Sequence, residues 1–282
     1  MTTSDFLLSP FADFAFMRRA LAACVILAIG GTPLGVFMSL RRMTLVGDAM
    51  SHAILPGVAL AFLFCGFSVW PMTLGGIGLG VLVALLAIGL TRVTQLKEDA
   101  SFTLIYLVSL AAGVAMISVK GNSLDLMHLL FGNILAIDNE ALGLISSVSC
   151  LSILVILAFY RSLVIDCFDP SFAAAHGKNL APLLFFVLLV VNLIAAFQAL
   201  GTLMALGLML LPSIAARFWT RNIDLILPLA ILFALISAPI GLLISFYAKL
   251  PSGPAVVLVA GGFCFASVLL GRTGSIRAYF RG

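Results

Sequence analysis

The chain has 282 residues, of which 63% are hydrophobic and 9% charged, and its mean hydropathy is +1.25. Soluble chains carry about 25% charged residues, and here the apolar character runs from about residue 15 to residue 270 without a polar domain, which excludes a soluble enzyme with one apolar tail, a disordered chain and a nucleic-acid-binding protein. The net charge of +4 arises from 15 scattered Lys and Arg against 11 acids, so the positions of the charges carry more information than their sum.

A helix needs about 20 apolar residues to cross the hydrocarbon. Charges and turn residues divide the chain into predicted spans at 17–40, 45–66, 71–91, 102–119, 141–160, 181–198, 201–218, 225–247 and 254–271. The expected fold class is an all-α polytopic membrane protein, a bundle of about nine transmembrane helices (range eight to ten), forming one membrane domain over 1–282. A barrel is disfavoured because the apolar runs are continuous and lack period-2 alternation. The division inside 181–218 rests on Gln198 and Gly201 alone. With the N-terminus outside, the inner loops collect Arg41, Arg42, Arg92, Lys97, Arg161, Lys178, Arg217, Arg221, Arg272, Arg277 and Arg281, leaving Arg18, Arg19, Lys120 and Lys249 outside. That is the Lys/Arg bias of inner loops, and it favours an odd number of spans. Pro33, Pro56, Pro212 and Pro239 lie within apolar runs and are expected to bend or break their helices. Gly31-x-x-x-Gly35 and Gly76-x-x-x-Gly80 permit close helix approach. The five cysteines are dispersed without a C-x-x-C pair and read as small buried hydrophobes. The N-terminal residues, with Asp5 and Asp13, do not resemble a cleaved signal peptide.

An ionisable residue within a span marks function by default. The outstanding segment is Gly47-Asp48-Ala49-Met50-Ser51-His52-Ala53-Ile54-Leu55-Pro56-Gly57. Asp48 and His52 are four residues apart, so on a helix they project from one face, and a carboxylate with an imidazole can share a divalent metal ion. Ser51 is positioned to assist, and Pro56 to free the carbonyl of His52. Spacing alone equally allows a hydrogen-bonded pair that fixes helix packing. Two ligands are too few to hold an ion tightly; a two-fold homodimer meeting at this helix supplies two Asp and two His. Asp125 and His128, after the outer Lys120, are candidates to collect cations at an outer mouth, along with Asp138 and Glu140, although solvated loop residues fit the same pattern. His176, in an inner loop, is not expected to bind a transported ion.

That inner loop, within about 168–178, has its own signature. Asp169 suits an N-cap, Pro170 the first helical position and Gly177 a C-terminal stop. The short helix between them presents Phe172 and small residues including Ala174, a face suited to a groove in a partner, or else an ordinary connector. There is no G-x-x-x-x-G-K-[ST] phosphate loop, no H-E-x-x-H and no G-x-S-x-G elbow, so no enzymatic activity is expected.

At these two segments the chain resembles the permease subunits of bacterial ABC importers for zinc, manganese or ferrous iron. Arg41 to Leu60 contains that family's Gly-Asp-Ala-x-Ser-His-x-x-x-Pro-Gly run, and Phe168 to Gly177 is similar to its coupling helix, with Ser171 where an acidic residue is common. Gly201 to Arg217 and Leu250-Pro251-Ser252-Gly253-Pro254 resemble later segments. The resemblance covers nearly the whole chain. It implies a homodimeric, multi-pass permease of the bacterial inner membrane, with a separate cytoplasmic ATP-binding subunit and an extracytoplasmic metal-binding protein. It makes Asp48 and His52 the metal ligands and Asp169, Pro170, Phe172, Ala174 and Gly177 the contact to the ATPase. No permanently bound cofactor is expected. The transported ion is Zn²⁺ or Mn²⁺, with imidazole favouring zinc, carboxylate favouring manganese, and zinc preferred. The competing readings are an ion-coupled secondary carrier and a non-transporting membrane scaffold with a structural Asp–His pair.

Overall fold

Hydrocarbon offers no hydrogen bonds, so a chain inside it must pair its own backbone groups. In the computed structural model this one does so with helices. Residues 9–66, 69–120, 137–169, 172 and 181–273 are described. The principal helices among them are α1 (Ala15–Gly30), α2 (Thr32–Leu40), α3 (Thr44–Ala53), α4 (Leu55–Cys65), α5 (Val69–Val93), α6 (Glu98–Lys120), α7 (Asn139–Phe168), α8 (Ala181–Leu200), α9 (Thr202–Arg217), α10 (Ile223–Ala248) and α11 (Ser252–Leu270). The protein is thus an all-α polytopic membrane protein.

By length and composition, seven described stretches suffice to cross a membrane, with α3 and α4 together forming one, and the bent pair α1–α2 makes an eighth. The remaining predicted span, 201–218, is α9, apolar but only 16 residues long. At 1.5 Å per residue it reaches about 24 Å, short of the ~30 Å hydrocarbon core. The weakest predicted boundary is real: Gly201 takes φ 81°, ψ 162° between α8 and α9, a conformation that glycine alone adopts readily. The largest departure is at α7, which runs eight residues past the expected end at Tyr160, through Arg161 and Asp166 to Phe168. Charges in an apolar stretch ordinarily signal a loop. The helix absorbs them because Asp166 pairs with Arg41.

The four prolines singled out from the sequence divide into two kinds. Pro33 and Pro56 stand in the first turn of a new helix, after breaks at Gly31 and Ile54, and α1 and α2 meet at a 40° bend. Pro212 and Pro239 lie inside helices that continue past them. Pro212 cannot donate to the Leu208 carbonyl, one turn earlier. Thr32 Oγ1 on α2 donates to it instead, at 3.5 Å.

The α8 span is the most buried, with 72% of its apolar window inside the protein, and it packs against α7, α5 and α9. Polar groups at its interfaces are paired within the bundle: the Asn192 amide reaches Ser152 Oγ and the Leu188 carbonyl, and Thr73 Oγ1 donates to Gln198 Oε1 at 2.9 Å. On the other flank, α2 is bound to α9. Ser213 Oγ donates to the Thr32 carbonyl at 3.1 Å and Arg217 Nη1 to the Ser39 carbonyl at 2.7 Å. Of the cysteines, only Cys24 is buried, while Cys65 and Cys150 are exposed on the single chain. Apolar context therefore did not imply burial at those two positions, because lipid-facing surfaces are as apolar as the core.

Glycines set the closest approaches. At the α4–α5 contact, a Cβ on Gly57 would collide with the Gly75 carbonyl, and one on Gly75 would lie 2.8 Å from Ala61 Cβ and against the Gly57 carbonyl. Two backbones touch there, and neither can retreat without separating the helices. Gly75→Leu is expected to lower stability by about 1–3 kcal/mol, the usual cost of overpacking, or to prevent assembly. Gly78→Leu, on the same helix with nothing within 4 Å of its Cβ, is expected to leave the protein unchanged. Monodisperse protein surviving a heating series reports this difference, and equal losses in the two variants would contradict the backbone contact.

Candidate metal site

The site begins with the division of α3 into two faces. Val46, Gly47, Met50, Ser51 and Ala53 are buried. Leu45, Asp48, Ala49 and His52, spaced as one helical stripe, point away from the rest of the chain. Leu45 is 72% exposed, and the side chains of Asp48 and His52 are 67% and 40% exposed. His52 Nε2 lies 4.0 Å from Asp48 Oδ1, beyond hydrogen-bond reach, so the two groups share a face without being bonded. Among the described residues, no three His, Cys, Asp or Glu side chains gather in a way that could hold an ion. The described residues of one chain offer this pair and no third ligand of that kind beside it.

Ser51 does not join the pair. It is buried, and its hydroxyl donates to the Asp48 carbonyl at 2.7 Å, so it secures the helix rather than the open face. The break after α3 is held from outside. Pro56 has no N–H for the His52 carbonyl, and the Gly57 N–H turns to the Ile54 carbonyl at 3.0 Å. The Ala53 carbonyl, left over by that turn, accepts Ser109 Oγ from α6 at 2.8 Å. α6 can come so close because Gly113 lies against the Pro56 ring, where a Cβ would be 2.9 Å from Pro56 Cγ. α3 packs chiefly on α6, so the ligand-bearing turn is braced on one side and open on the other.

Arg41 follows α2 and precedes α3. Its guanidinium pairs with Asp166 near the end of α7, with the two side chains 9% and 4% exposed, and it lies 4.6 Å from the centroid of the Phe185 ring on α8. Sequence reading counted Arg41 only as one more inner positive charge and left Asp166 unassigned. The available signal was an acidic residue at Asp166 preceding Asp169 in an otherwise apolar stretch. Asp169 Oδ1 accepts the Phe172 N–H at 2.9 Å, the geometry of an N-cap, and Phe168 and Phe172 are both exposed. Pro170, Ala174 and Gly177, together with the outer pair Asp125 and His128, lie outside the described residues. Asp138 caps α7, its Oδ1 accepting the Ala141 N–H at 2.7 Å.

The model of the ABC 3 transport family matches residues 13–271. The chain belongs to that family. The manganese transport system membrane protein MntC of Halalkalibacterium halodurans is 32% identical over 287 residues, covering 100% of this chain and 97% of the relative. The chelated iron transport system membrane protein YfeD of Yersinia pestis is 29% identical, covering 92% of this chain and 86% of the relative. Among solved structures, PsaBC from Streptococcus pneumoniae in complex with Fab superposes with a TM-score of 0.83 at 29% identity, over 99% of this chain and 100% of that one. The fold is that of an ABC metal permease. This ABC 3 family chain is a membrane permease, not an ATPase, and hydrolysis belongs to a separate subunit.

The geometry separates bracing residues from the open pair. Ser109→Ala strands the Ala53 carbonyl and is expected to lower stability by about 1 kcal/mol, within the range measured for hydrogen bonds between membrane helices. His52→Ala removes an exposed ring with no hydrogen bond to lose and is expected to leave the unfolding midpoint in detergent unchanged. A comparable loss in both variants would make His52 a packing residue.

Proposed function

We propose that the chain, one membrane domain over 1–282, is the permease of an ATP-driven importer for a divalent transition metal in the bacterial inner membrane, and that two copies meet at α3 to form the metal path. One observation carries this reading: the open stripe Leu45, Asp48, Ala49 and His52 places a carboxylate and an imidazole on the outside of a membrane helix. Lipid cannot receive such a face without a cost of up to about 2.5–3.5 kcal/mol per charged residue at the bilayer centre. A second copy related by a two-fold axis presents the same stripe, and the two together offer two carboxylates and two imidazoles.

A divalent cation neutralises two carboxylates that would otherwise repel each other, and the mixed N and O donor set suits a transition metal. The set allows zinc, which the imidazoles favour, and manganese. The relatives named for manganese and chelated iron weigh towards manganese. A cytoplasmic ATP-binding subunit supplies the energy and an extracytoplasmic metal-binding protein delivers the ion. Asp125 and His128 help gather it on the outer side. Asp169, Pro170, Phe172, Ala174 and Gly177 meet the ATPase, a role supported by the capped turn at Asp169 and by the exposed Phe168 and Phe172.

The test is reconstitution in liposomes with the ATP-binding subunit and the binding protein. Uptake of Mn²⁺ is expected to require ATP and to vanish in Asp48→Ala and His52→Ala, both still assembling with the ATPase. Uptake by the permease alone in an ion gradient would make it a secondary carrier, and full uptake by both variants would leave the pair structural. Competition by Zn²⁺ and Fe²⁺ ranks the cargo. Leu45→Cys is expected to form a disulfide between copies in membranes, and its failure under oxidant would argue against the α3 interface.

A further inference from the structure

We infer that the buried Arg41–Asp166 pair is a positioning device that locks the metal-bearing helix α3 to the ATPase-facing end of α7, so that the two move together. The inference rests on the proposed transport function. Its basis is placement. Arg41 lies in the turn that leads into α3, ahead of Asp48 and His52, and Asp166 lies just ahead of Asp169 and Phe172. Asp166 is buried and the Arg41 side chain is only 9% exposed, and Phe185 on α8 lies beside the guanidinium.

Buried opposite charges behave unlike apolar neighbours. Apolar side chains can slide past one another and keep most of their contact. Parting a buried guanidinium from its carboxylate forfeits an attraction that solvent screens little, so the pair resists opening during a cycle. The backbone supplies the complementary freedom. The chain is broken at Gly31 between α1 and α2 and at Ile54 between α3 and α4. α7 has a non-helical residue at Phe159 (φ −109°, ψ 15°), above the segment that carries Asp166. These three breaks bound the region containing Arg41, Asp48, His52 and Asp166. A displacement at Asp169 then reaches α3 through the ion pair and is absorbed at the breaks. The short peptide between Leu40 and Thr44 need not carry it.

The experiment uses the complex with its ATP-binding subunit and binding protein in liposomes, reading Mn²⁺ imported per ATP hydrolysed. The informative variant is the double replacement R41M/D166L. Replacing a buried ion pair by apolar residues of similar volume is often neutral for stability, so this variant is expected to assemble and hydrolyse ATP while importing at least about fivefold fewer ions per ATP, the lower end of typical coupling between sites. Asp166→Glu, which retains the charge, is expected to restore most of the ratio. Wild-type ions per ATP in R41M/D166L, or ATP hydrolysis and import falling together in proportion to lost complex, would overturn the inference and leave the transport reading intact. A wild-type complex that hydrolyses ATP without importing Mn²⁺ would overturn the transport reading and this inference with it.

Discussion

A charge inside hydrocarbon must bring its own partner, and the region around the α2–α3 turn is arranged around that requirement. Arg41 has Asp166 and the face of Phe185, so it can lie buried between helices that would otherwise exclude it. Arg217 meets the Ser39 carbonyl at the end of α2. These contacts converge on the turn between α2 and α3, which thereby gains neighbours on α7, α8 and α9. Asp48 and His52 are the contrast. They are ionisable, they lie on an apolar helix, and within one chain they face outward. The same rule that explains the buried pair makes the open pair incomplete, which is why a second copy is the economical explanation.

Breaks in the helices follow from the same bookkeeping of backbone groups. A proline in hydrocarbon leaves a carbonyl without its donor, and the structure shows how such gaps are closed. Thr32 answers for Leu208 across the α2–α9 contact. At the α3–α4 break the turn itself displaces a bond, and Ser109 answers for Ala53 across the α3–α6 contact. In both cases a hydroxyl from a neighbouring helix does the work, so a discontinuity also fixes helix packing. The break at Ile54 ends α3 just beyond the open pair, which lets the ligand-bearing segment differ in direction from α4 while α6 braces the junction.

Much of this architecture was readable from the chain, because span boundaries are written in charges and turn residues. The Gly201 division, marked only by Gln198 and Gly201, corresponds to a real break, since glycine supplies the backbone conformation needed there. Asp48 and His52 were readable as neighbours from their spacing, but their exposure was not. Periodicity places two residues on one face without saying whether that face meets protein, lipid or a cavity. The inner end of α7 was misjudged because a charge in a sequence looks the same whether it ends a helix or pairs across the bundle. Asp166 is a long way from Arg41 in the chain, and only the folded arrangement brings them together. Ser51 was misjudged similarly: it is adjacent to the pair in sequence, yet one residue on a helix turns a side chain by about 100°, which takes Ser51 into the core.

The proposed dimer also limits what can occupy the path. Two carboxylates gathered around one ion would repel each other in its absence. An empty site is therefore under electrostatic tension, and a monovalent ion would neutralise only half of its charge. A divalent ion removes the repulsion without leaving a net charge in the membrane, where a residual charge is most costly. Four donors from two chains bind less rigidly than a closed cage within one chain, because a small change in the angle between the copies separates the donors in pairs. In the proposed dimer, selectivity by charge and release by rotation would come from one arrangement. Such a site needs α3 to turn as a unit with whatever drives it, and a rigid connection near its inner end, rather than a flexible loop, meets that need.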